Sequence, residues 1–261
     1  MQSVDVSPER WAQLLARRNR ALQPQPVAFD TADAACALYG PIADAGGPFV
    51  LAQVGQSLDG RVATQTGDAR DISGPDGLKH LHRCRALVDA VIVGINTIKA
   101  DNPRLSVRLV TGQDPVRVVI DCHAALDGSE GLFHDGGANI VVFQSVEAPL
   151  RAYANAEVIR LRPTAVGLDP GTMLERLNAR GLTRILVEGG ARTIRRFIAA
   201  GRVDRLHVAV APLIIGSGPS GLSLAPTPTL AEALRPPTTV YDLGSDTLFD
   251  CSLRPATRSV R

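Results

Sequence analysis

Short apolar runs alternate with amphipathic segments from about residue 48 to the end of the chain. Runs rich in β-branched residues and bounded by Gly, Pro or Asp predict strands. The run DAVIVG is apolar without interruption after its Asp, which indicates a strand buried on both faces. The predicted strands are FVLAQVG (49–55), DAVIVG (89–94), VRVVID (116–121), NIVVF (139–143), AEVIRL (156–161), RILV (184–187), RLHVAVAPLII (205–215), TVYDL (239–243) and TLFDCSL (247–253).

Helical periodicity and capping residues predict four helices. The first covers Pro8 to Arg20, with Ser7 as its N-cap, and the second covers 73–87, with Ser73 as its cap. In the second helix Leu78, Leu81, Cys84 and Leu87 recur at helical spacing and should form the buried stripe. The other two helices are expected over 169–181, ending at a glycine, and over 191–201.

This alternation predicts an α/β fold with a mixed, mostly parallel central sheet flanked by helices. The last two strands, joined by the short turn GSD, should form an antiparallel hairpin at one edge of the sheet. We expect residues 1–45 to form an N-terminal helical extension with a proline-rich break, QPQPV, at 23–27. Residues 46–261 should form one domain.

Composition excludes several classes of function. The formal net charge is +2, and aromatic residues make up only 4%, so a nucleic-acid platform of basic and stacking side chains is not expected. The four cysteines are scattered, no His and Cys residues have zinc spacing along the chain, and no metal site is predicted. The acidic residues near the start argue against a signal peptide, and no apolar run is long enough for a membrane span. We expect a cytoplasmic protein that binds no membrane.

Three polar, glycine-containing clusters directly follow predicted strands, at 55–74, 93–108 and 187–196. In open α/β sheets, ligands bind outside the carboxyl ends of the strands. In the third cluster, paired glycines precede a helix start and three arginines, which suits a phosphorylated cofactor. A tight turn followed by a solvated arginine face would explain the same residues equally well.

The segment GSGPSG (216–221) matches the dinucleotide fingerprint GxGxxG, but it lacks the required context. That fingerprint works only where a helix opens on its last glycine. Here Pro219 lies inside the motif and LSLAPTPT follows it, so a loop is predicted.

The segments SLDGRVAT, GINTIKADNPRLSVR and RILVEGGARTIRRFI together closely resemble the pyrimidine reductase family of riboflavin biosynthesis. The resemblance covers about residues 48–253. It implies a dihydrofolate-reductase-like fold, NADPH as cofactor and a homodimer. In many bacteria this reductase follows a deaminase in one chain, but the deaminase motifs H-x-E and P-C-x-x-C are absent from this sequence. We therefore expect a stand-alone reductase.

Carried over to matching positions, the resemblance implies a set of site residues. Asp101 and Glu188 are the expected catalytic groups, as proton relay or imine stabiliser. Arg85 and Arg108 would clamp a 5′-phosphate, which guanidinium grips in bidentate fashion; structural ion pairs are the alternative for both. The cofactor contacts implied are Gly55, Asp71, Thr97, Asp101, Gly190, Ala191, Arg192, Thr193, Ile194, Arg195 and Arg196, and the substrate contacts are Gln53, Ala69, Arg85, Leu105, Arg108 and Glu188.

Three positions depart from the pattern of the bifunctional bacterial enzymes. Ala69 stands where a serine often contacts substrate, Asp71 where an aromatic residue often lies beside the cofactor, and Gln53 where a lysine is common. The expected reaction is hydride transfer from NADPH to C1′ of a phosphoribosylamino-pyrimidine, before or after its deamination. A reductase of another pteridine- or pyrimidine-like substrate, or a catalytically silent NADP-binding protein, remains an alternative.

Overall fold

The computed structural model describes residues 1–20 and 33–254, and the proline-rich break predicted at 23–27 lies outside them. Within these residues one ten-stranded sheet forms the centre of the molecule. The strands are β1 (Gln2–Ser3), β2 (Phe49–Ser57), β3 (Ala90–Gly94), β4 (Val116–Ile120), β5 (Ile140–Ser145), β6 (Ala156–Leu161), β7 (Arg184–Glu188), β8 (Arg205–Ala211), β9 (Thr238–Asp242) and β10 (Thr247–Ser252).

The strand order is β1-β9-β10-β8-β2-β7-β3-β4-β5-β6. From β8 to β6 all neighbours run parallel, whereas β10 is antiparallel to both β8 and β9. The predicted mostly parallel sheet with an antiparallel C-terminal hairpin is therefore confirmed. The hairpin is not quite the outermost part, because β1 pairs in parallel with β9 and covers its free edge.

The two faces of the sheet carry different helices. The helices are α1 (Pro8–Arg20), α2 (Ala34–Ala43), α3 (Pro75–Leu87), α4 (Ile95–Asp101), α5 (Pro170–Asn178) and α6 (Ala191–Ala199). Alternate residues of each strand point to opposite faces. Leu51, Val91 and Leu186 pack in one core with the side chains of α1 to α3, which we call the α3 face. Ala52, Ile92 and Val187 pack in a second core with α5 and α6, which we call the α6 face.

The predicted strands and helices are found, but the start of α3 differs from prediction. Its N-cap is Gly74, not Ser73. The backbone N–H of Gly74 donates instead to Asp246 Oδ1 at 2.8 Å, and that of Asp76 donates to Ser245 Oγ at 3.0 Å. The turn of the β9–β10 hairpin thus caps a helix about 170 positions away in sequence.

The buried stripe of α3 also differs from prediction. Cys84 and Leu87 are fully buried as expected, but Leu78 and Leu81 are only partly buried. His80 occupies the buried position instead, with no exposed surface. A sequence stripe cannot reveal this, because a buried imidazole is tolerated only when tertiary partners satisfy its nitrogens.

Helix α2 was not predicted as a separate element. Its N-cap Asp33 accepts a hydrogen bond from the backbone N–H of Cys36 at 2.9 Å, and Pro41 lies within the helix. Leu38, Tyr39 and Ile42 are fully buried against the α3 face. The segment before residue 46 therefore shares the core of the sheet, and a domain boundary at residue 45 stays a prediction. Among the described helices, none is both long and apolar enough to cross a membrane.

Candidate active site

The carboxyl ends of β7, β3, β4 and β5 meet at one edge of the sheet, and a cleft of about 1380 Å³ opens there on the α6 face. One wall is the start of α6, and the opposite wall is formed by the segments that follow β4, β5 and β6. This is where ligands bind in open α/β sheets. The third polar cluster therefore lies in the place that the sequence predicts.

The glycine turn Gly189–Gly190 lies at this edge, directly after β7 and close to Thr97. Both residues have positive φ, +59° and +48°. A Cβ on Gly189 would lie 3.0 Å from Oγ1 of Thr97, and one on Gly190 would lie 3.3 Å from the same atom. Because glycine alone adopts this backbone without strain, the turn brings bare main chain and the first N–H groups of α6 to the cleft.

The three arginines of α6 add positive charge along the cleft. Arg192 and Arg195 are exposed, while Arg196 is half-buried and donates to the carbonyl of Leu168 at 2.5 Å. Burial is the main cause that lowers the pKa of Arg196 below its ordinary value. Two free guanidinium groups beside a helix N-terminus are suited to bind phosphate.

A buried ion pair lies at the same edge of the sheet, on the α3 face. Arg85 Nε and Nη2 each donate to one carboxylate oxygen of Glu188 at 2.7 Å. The exposed fraction is 6% for Arg85 and 5% for Glu188. Burial lowers the pKa of Arg85, but the charge and hydrogen bonds of Glu188 outweigh it and raise the value overall. Glu188 has the partner that a buried carboxylate needs.

Beside this pair lies a group of cations, with Asp114 as the nearby carboxylate. Arg108 is exposed, and its Nη1 donates to Ser106 Oγ at 2.8 Å. Burial and the like charges of Arg85 and Arg104 lower the pKa of Arg108. His82 accepts the backbone N–H of Arg108 at Nδ1, at 2.9 Å, and burial with the charges of Arg85 and Arg108 lowers its pKa to about 4. In both shifts the neighbouring positive charges add to the larger effect of burial, and a bound anion would offset that electrostatic part.

The 93–108 segment joins the two faces. Its first part is α4, where Thr97 faces the glycine turn on the α6 face. The helix stops at Asn102, which has φ +41°, and Leu105 is buried with φ +57°. These two left-handed residues turn the chain so that Ser106 and Arg108 reach α3 on the other face. Positive φ at a buried leucine is costly and is found mainly at functional sites.

The structure brings most, but not all, of the expected site residues to the cleft. Thr97, Gly190, Ala191, Arg192, Thr193, Arg195 and Arg196 line it. Ile194 does not, because its side chain is fully buried in the core of the α6 face. Asp101 is exposed at the end of α4, four residues after Thr97 and so on the same side of that helix. The neighbouring chain still removes part of the water around its carboxyl group, and this partial desolvation raises its pKa above the ordinary value.

Gln53 and the expected residues of the first cluster do not line the cleft. Gln53 is 5% exposed and stands between Glu188 of β7 and His207 of β8 in the sheet register. Gly55, two residues later, is covered by Ser73, whose Oγ would lie 2.4 Å from a Cβ placed there. Ala69 and Asp71 lie on the loop between β2 and α3, and Asp71 is exposed with φ +58°. Neither lines the cleft.

Sequence reasoning missed the far wall of the cleft. It is formed by residues at or just after the carboxyl ends of β4, β5 and β6, and this position is the signal that could have revealed them. Their composition gives no such signal, because these turns hold no glycine pair or arginine cluster. They include Asp121, Cys122, His123, Ser145, Glu147, Pro163 and Thr164.

The segment 216–221, in contrast, is the loop predicted. Arg61 donates to the carbonyls of Gly216 and Gly218, and Asp59 accepts the N–H of Gly216. Hydrogen bonds to the loop after β2 fix this segment, and no helix follows its last glycine within the described residues.

The fold and site define an α/β protein with a cleft at the carboxyl edge of a largely parallel sheet. The chain belongs to the RibD C-terminal domain family, whose sequence model matches residues 48–243. This confirms the family resemblance seen in the sequence and the fold class that it implied.

Similar proteins share this family. The chain is 35% identical over 179 residues to the "2,5-diamino-6-ribosylamino-4(3H)-pyrimidinone 5′-phosphate reductase" of Methanothermobacter thermautotrophicus, covering 65% of this chain and 80% of that one. It is 32% identical over 178 residues to the riboflavin biosynthesis protein RibD of Aquifex aeolicus, covering 66% of this chain but only 48% of the relative. The chain thus spans about half the length of such RibD proteins.

A solved structure supports the same assignment. The deaminase/5-amino-6-(5-phosphoribosylamino)uracil reductase of Thermotoga maritima superposes with a TM-score of 0.68 at 25% identity. The superposition covers 84% of this chain and 60% of that chain.

Proposed function

We propose that this protein is an NADPH-dependent reductase that converts the ribosyl group of a 5-phosphoribosylamino-pyrimidine to the open ribityl chain. The observation that carries the proposal is the arrangement at one sheet edge: an open glycine turn with arginines on the α6 face, and a cation cluster on the α3 face. The 93–108 segment links the two. The names of the archaeal and bacterial relatives support the same reaction.

The residues of the cleft fit a dinucleotide. Gly189 and Gly190 have positive φ and lie close to Thr97, so side chains are excluded at both positions. A pyrophosphate could therefore approach the bare main chain. The first N–H groups of α6 would hold its charge. Arg192 and Arg195 would bind the additional 2′-phosphate and so favour NADPH over NADH. When bound, the cofactor supplies the hydride.

The cation cluster fits a substrate phosphate. Arg108 and Arg104 are exposed, and the hydrogen bond from the backbone N–H of Arg108 to His82 fixes this part of the chain against α3. Arg85 is committed to Glu188 and so would contribute mainly charge. In this proposal Arg108 is the phosphate clamp, and the Arg85–Glu188 pair lies beneath the substrate, next to Gln53.

We assign two carboxyl groups to the reaction. Glu188 accepts two hydrogen bonds from Arg85, and its carboxylate would stabilise a positively charged imine. Partial desolvation raises the pKa of Asp101, which suits a group that gives a proton to the sugar oxygen as the ring opens. The protein otherwise orients the two reactants.

The alternative is a reductase of another pteridine or pyrimidine, which would use the same cleft. Its different substrate would then explain why Gln53, Ala69 and Asp71 depart from the pattern of the bifunctional bacterial enzymes. A silent NADP-binding protein would keep the glycine turn but would not need Arg108. The presence of the Arg108 cluster favours an enzyme with a phosphorylated substrate.

Absorbance at 340 nm during incubation with NADPH tests the proposal. We expect oxidation with 2,5-diamino-6-ribosylamino-4(3H)-pyrimidinone 5′-phosphate or its deaminated uracil analogue, and not with either compound after removal of the phosphate. Equal rates with NADH would contradict the cofactor choice. Comparing the two phosphorylated substrates decides whether reduction precedes deamination.

Three further features belong to the proposal. We infer a homodimer, so light scattering should give twice the chain mass of 27.6 kDa. We also infer a cytoplasmic location, where Cys36, Cys84, Cys122 and Cys251 would stay as the free thiols seen in the structure. Nucleic acid and membranes are not proposed as partners.

A further inference from the structure

A cluster of three fully buried side chains on the α3 face has no part in the proposed reaction. His80 and Cys84 lie one turn apart on α3, and His207 lies below them on β8. The exposed fraction of each is 0%. Burying two imidazoles and a thiol together is costly unless they satisfy one another or share a ligand.

The three ligand atoms form a compact triangle. His80 Nε2 lies 3.2 Å from His207 Nδ1, and Cys84 Sγ lies 3.5 Å from the first and 3.9 Å from the second. Zinc binds nitrogen at about 2.0 Å and sulfur at about 2.3 Å, so in a tetrahedral site these atoms would be separated by about 3.3–3.6 Å. The triangle already has nearly these dimensions.

The outer nitrogens of both histidines face groups that orient metal ligands in other proteins. Tyr39 Oη lies 2.9 Å from His80 Nδ1. Asp250 Oδ1 lies 3.3 Å from His207 Nε2, although the N–H is not aligned for a regular hydrogen bond. Asp250 is held in turn by Arg205. Histidine ligands commonly present their second nitrogen to a carboxylate or another oxygen in this way.

We propose that His80 Nε2, Cys84 Sγ and His207 Nδ1 bind one transition-metal ion of borderline-to-soft character, for which Zn²⁺ is the test ion. A neutral imidazole is the form of histidine that coordinates a metal. The carboxylates of Glu188 and Asp250 place negative charge near Cys84. The same negative potential attracts a cation, and a bound cation ionises the thiol.

Binding of the metal ion releases one proton. Two metal–nitrogen bonds and one metal–sulfur bond form, and the thiol proton of Cys84 leaves as the S–H bond breaks. His80 must then carry its proton on Nδ1, where it donates to Tyr39 Oη, so that Nε2 is free to coordinate. No electron is transferred.

Such an ion would join α3 to β8. It would lie next to the proposed substrate residue Arg85, which follows Cys84 in the chain. Spacing along the sequence does not reveal the cluster, since His207 lies 123 positions from Cys84. Only the fold brings His207 next to His80 and Cys84, which form a His–x₃–Cys pair on α3.

The test is the metal content of the untagged full-length protein produced in zinc-supplemented medium, since a closed site must be loaded as the chain folds. We expect about one zinc ion per chain by mass spectrometry. Protein produced with Co²⁺ should show the intense near-ultraviolet absorption of a cobalt–thiolate bond. Cys84→Ala should lose both signals, and the matched control Cys251→Ala, on β10 outside the cluster, should keep both.

Metal removal should also lower the thermal midpoint of the wild type and leave that of Cys84→Ala unchanged. The proposal is overturned if the wild type carries zinc on fewer than about one chain in ten with no cobalt–thiolate absorption, or if Cys84→Ala retains the metal. Should Cys84→Ala yield no folded protein, the wild-type zinc content and cobalt spectrum decide alone.

Discussion

At the scale of single residues, Gly190 connects backbone conformation to ligand binding. Its φ of +48° already disfavours a side chain, and a Cβ there would lie 3.3 Å from Thr97 Oγ1. We expect Gly190→Val to weaken NADPH binding at least tenfold, because the side chain would fill the space beside the N–H groups of α6. Fluorescence titration measures this.

Gly201 provides the matched control for this change. It follows the other end of α6 with φ +63°, and a Cβ there would meet nothing within 4 Å. Gly201→Val should cost similar stability through backbone strain but leave NADPH affinity unchanged. Equal affinity losses in the two variants would show that the effect of Gly190→Val is global.

Arg108 tests the class of substrate. Arg108→Lys keeps the charge but loses the two-pronged geometry. A charge-assisted contact is worth about 1.5–3 kcal/mol, so kcat/KM for the phosphorylated substrate should fall roughly 10- to 150-fold. NADPH affinity and the thermal midpoint should hardly change, because Arg108 is exposed. Unchanged kcat/KM would end the phosphate-clamp proposal, and Arg180→Lys, in a surface ion pair with Glu157, is the control.

His82 makes the stability of the folded protein depend on pH. Its pKa in the fold is about 4, against 6.5 in the unfolded chain, because of burial and the charges of Arg85 and Arg108, partly offset by Asp114. Between these values the unfolded chain binds more protons, so the stability that His82 contributes is present above pH 6.5 and is lost as pH falls towards 4.

We therefore expect His82→Asn, which cannot titrate, to lose less thermal stability than the wild type between pH 7 and pH 4. His134→Asn, which removes an exposed imidazole, should follow the wild type. Parallel curves for the wild type and His82→Asn would contradict this account.

At the scale of elements, the turn of the β9–β10 hairpin positions α3. Asp246 is 2% exposed and accepts the N–H of Gly74 and the hydroxyl of Ser245. Asp246→Ala should cost about 1–2 kcal/mol of stability, as loss of a cap does. It should also raise KM for the substrate, because α3 carries Arg85, while NADPH affinity stays constant.

Chemical denaturation and steady-state kinetics measure the two effects. Asp246→Asn keeps an acceptor and should recover most of both. Asp33→Ala removes the comparable cap of α2 and should reduce stability without changing KM. A KM increase of equal size in Asp33→Ala would mean that α3 responds to general destabilisation rather than to its cap.

The element scale also shows how far the sequence could predict this protein. The strands, α1 and the loop at 216–221 follow local pattern and turn chemistry, and they were predicted well. Ser73 failed as a cap because Ser245, far along the chain, accepts the N–H of Asp76 that the Ser73 side chain would otherwise have accepted. The stripe of α3 failed because His80 is buried by partners on α2 and β8.

For the site, the glycine turn and the α6 arginines were recognisable because their chemistry is local. The Arg85–Glu188 pair was not, since each residue was expected to contact substrate and the structure shows them bound to one another. The far wall of the cleft was also missed, because residues such as Ser145 and Thr164 carry no signal apart from their position after a strand.

At the scale of the whole molecule, the sheet separates the proposed cofactor cleft from the proposed substrate site, and the 93–108 segment joins them. The cleft lies on the α6 face and the cation cluster on the α3 face, both at the carboxyl edge. A hydride transfer between two ligands requires such an arrangement, because the two must meet over the edge of the sheet within a short distance. Isotope tracing tests this claim most directly.

The measurement is the mass of the product formed from 2,5-diamino-6-ribosylamino-4(3H)-pyrimidinone 5′-phosphate with NADPH deuterated at C4 of the nicotinamide. We expect a ribitylamino product that has gained two hydrogens, with one deuterium at C1′ when the transferred position of the cofactor is labelled. A substrate recovered unchanged after prolonged incubation with stoichiometric enzyme, or a reduced product without deuterium from either labelled face, would contradict the account.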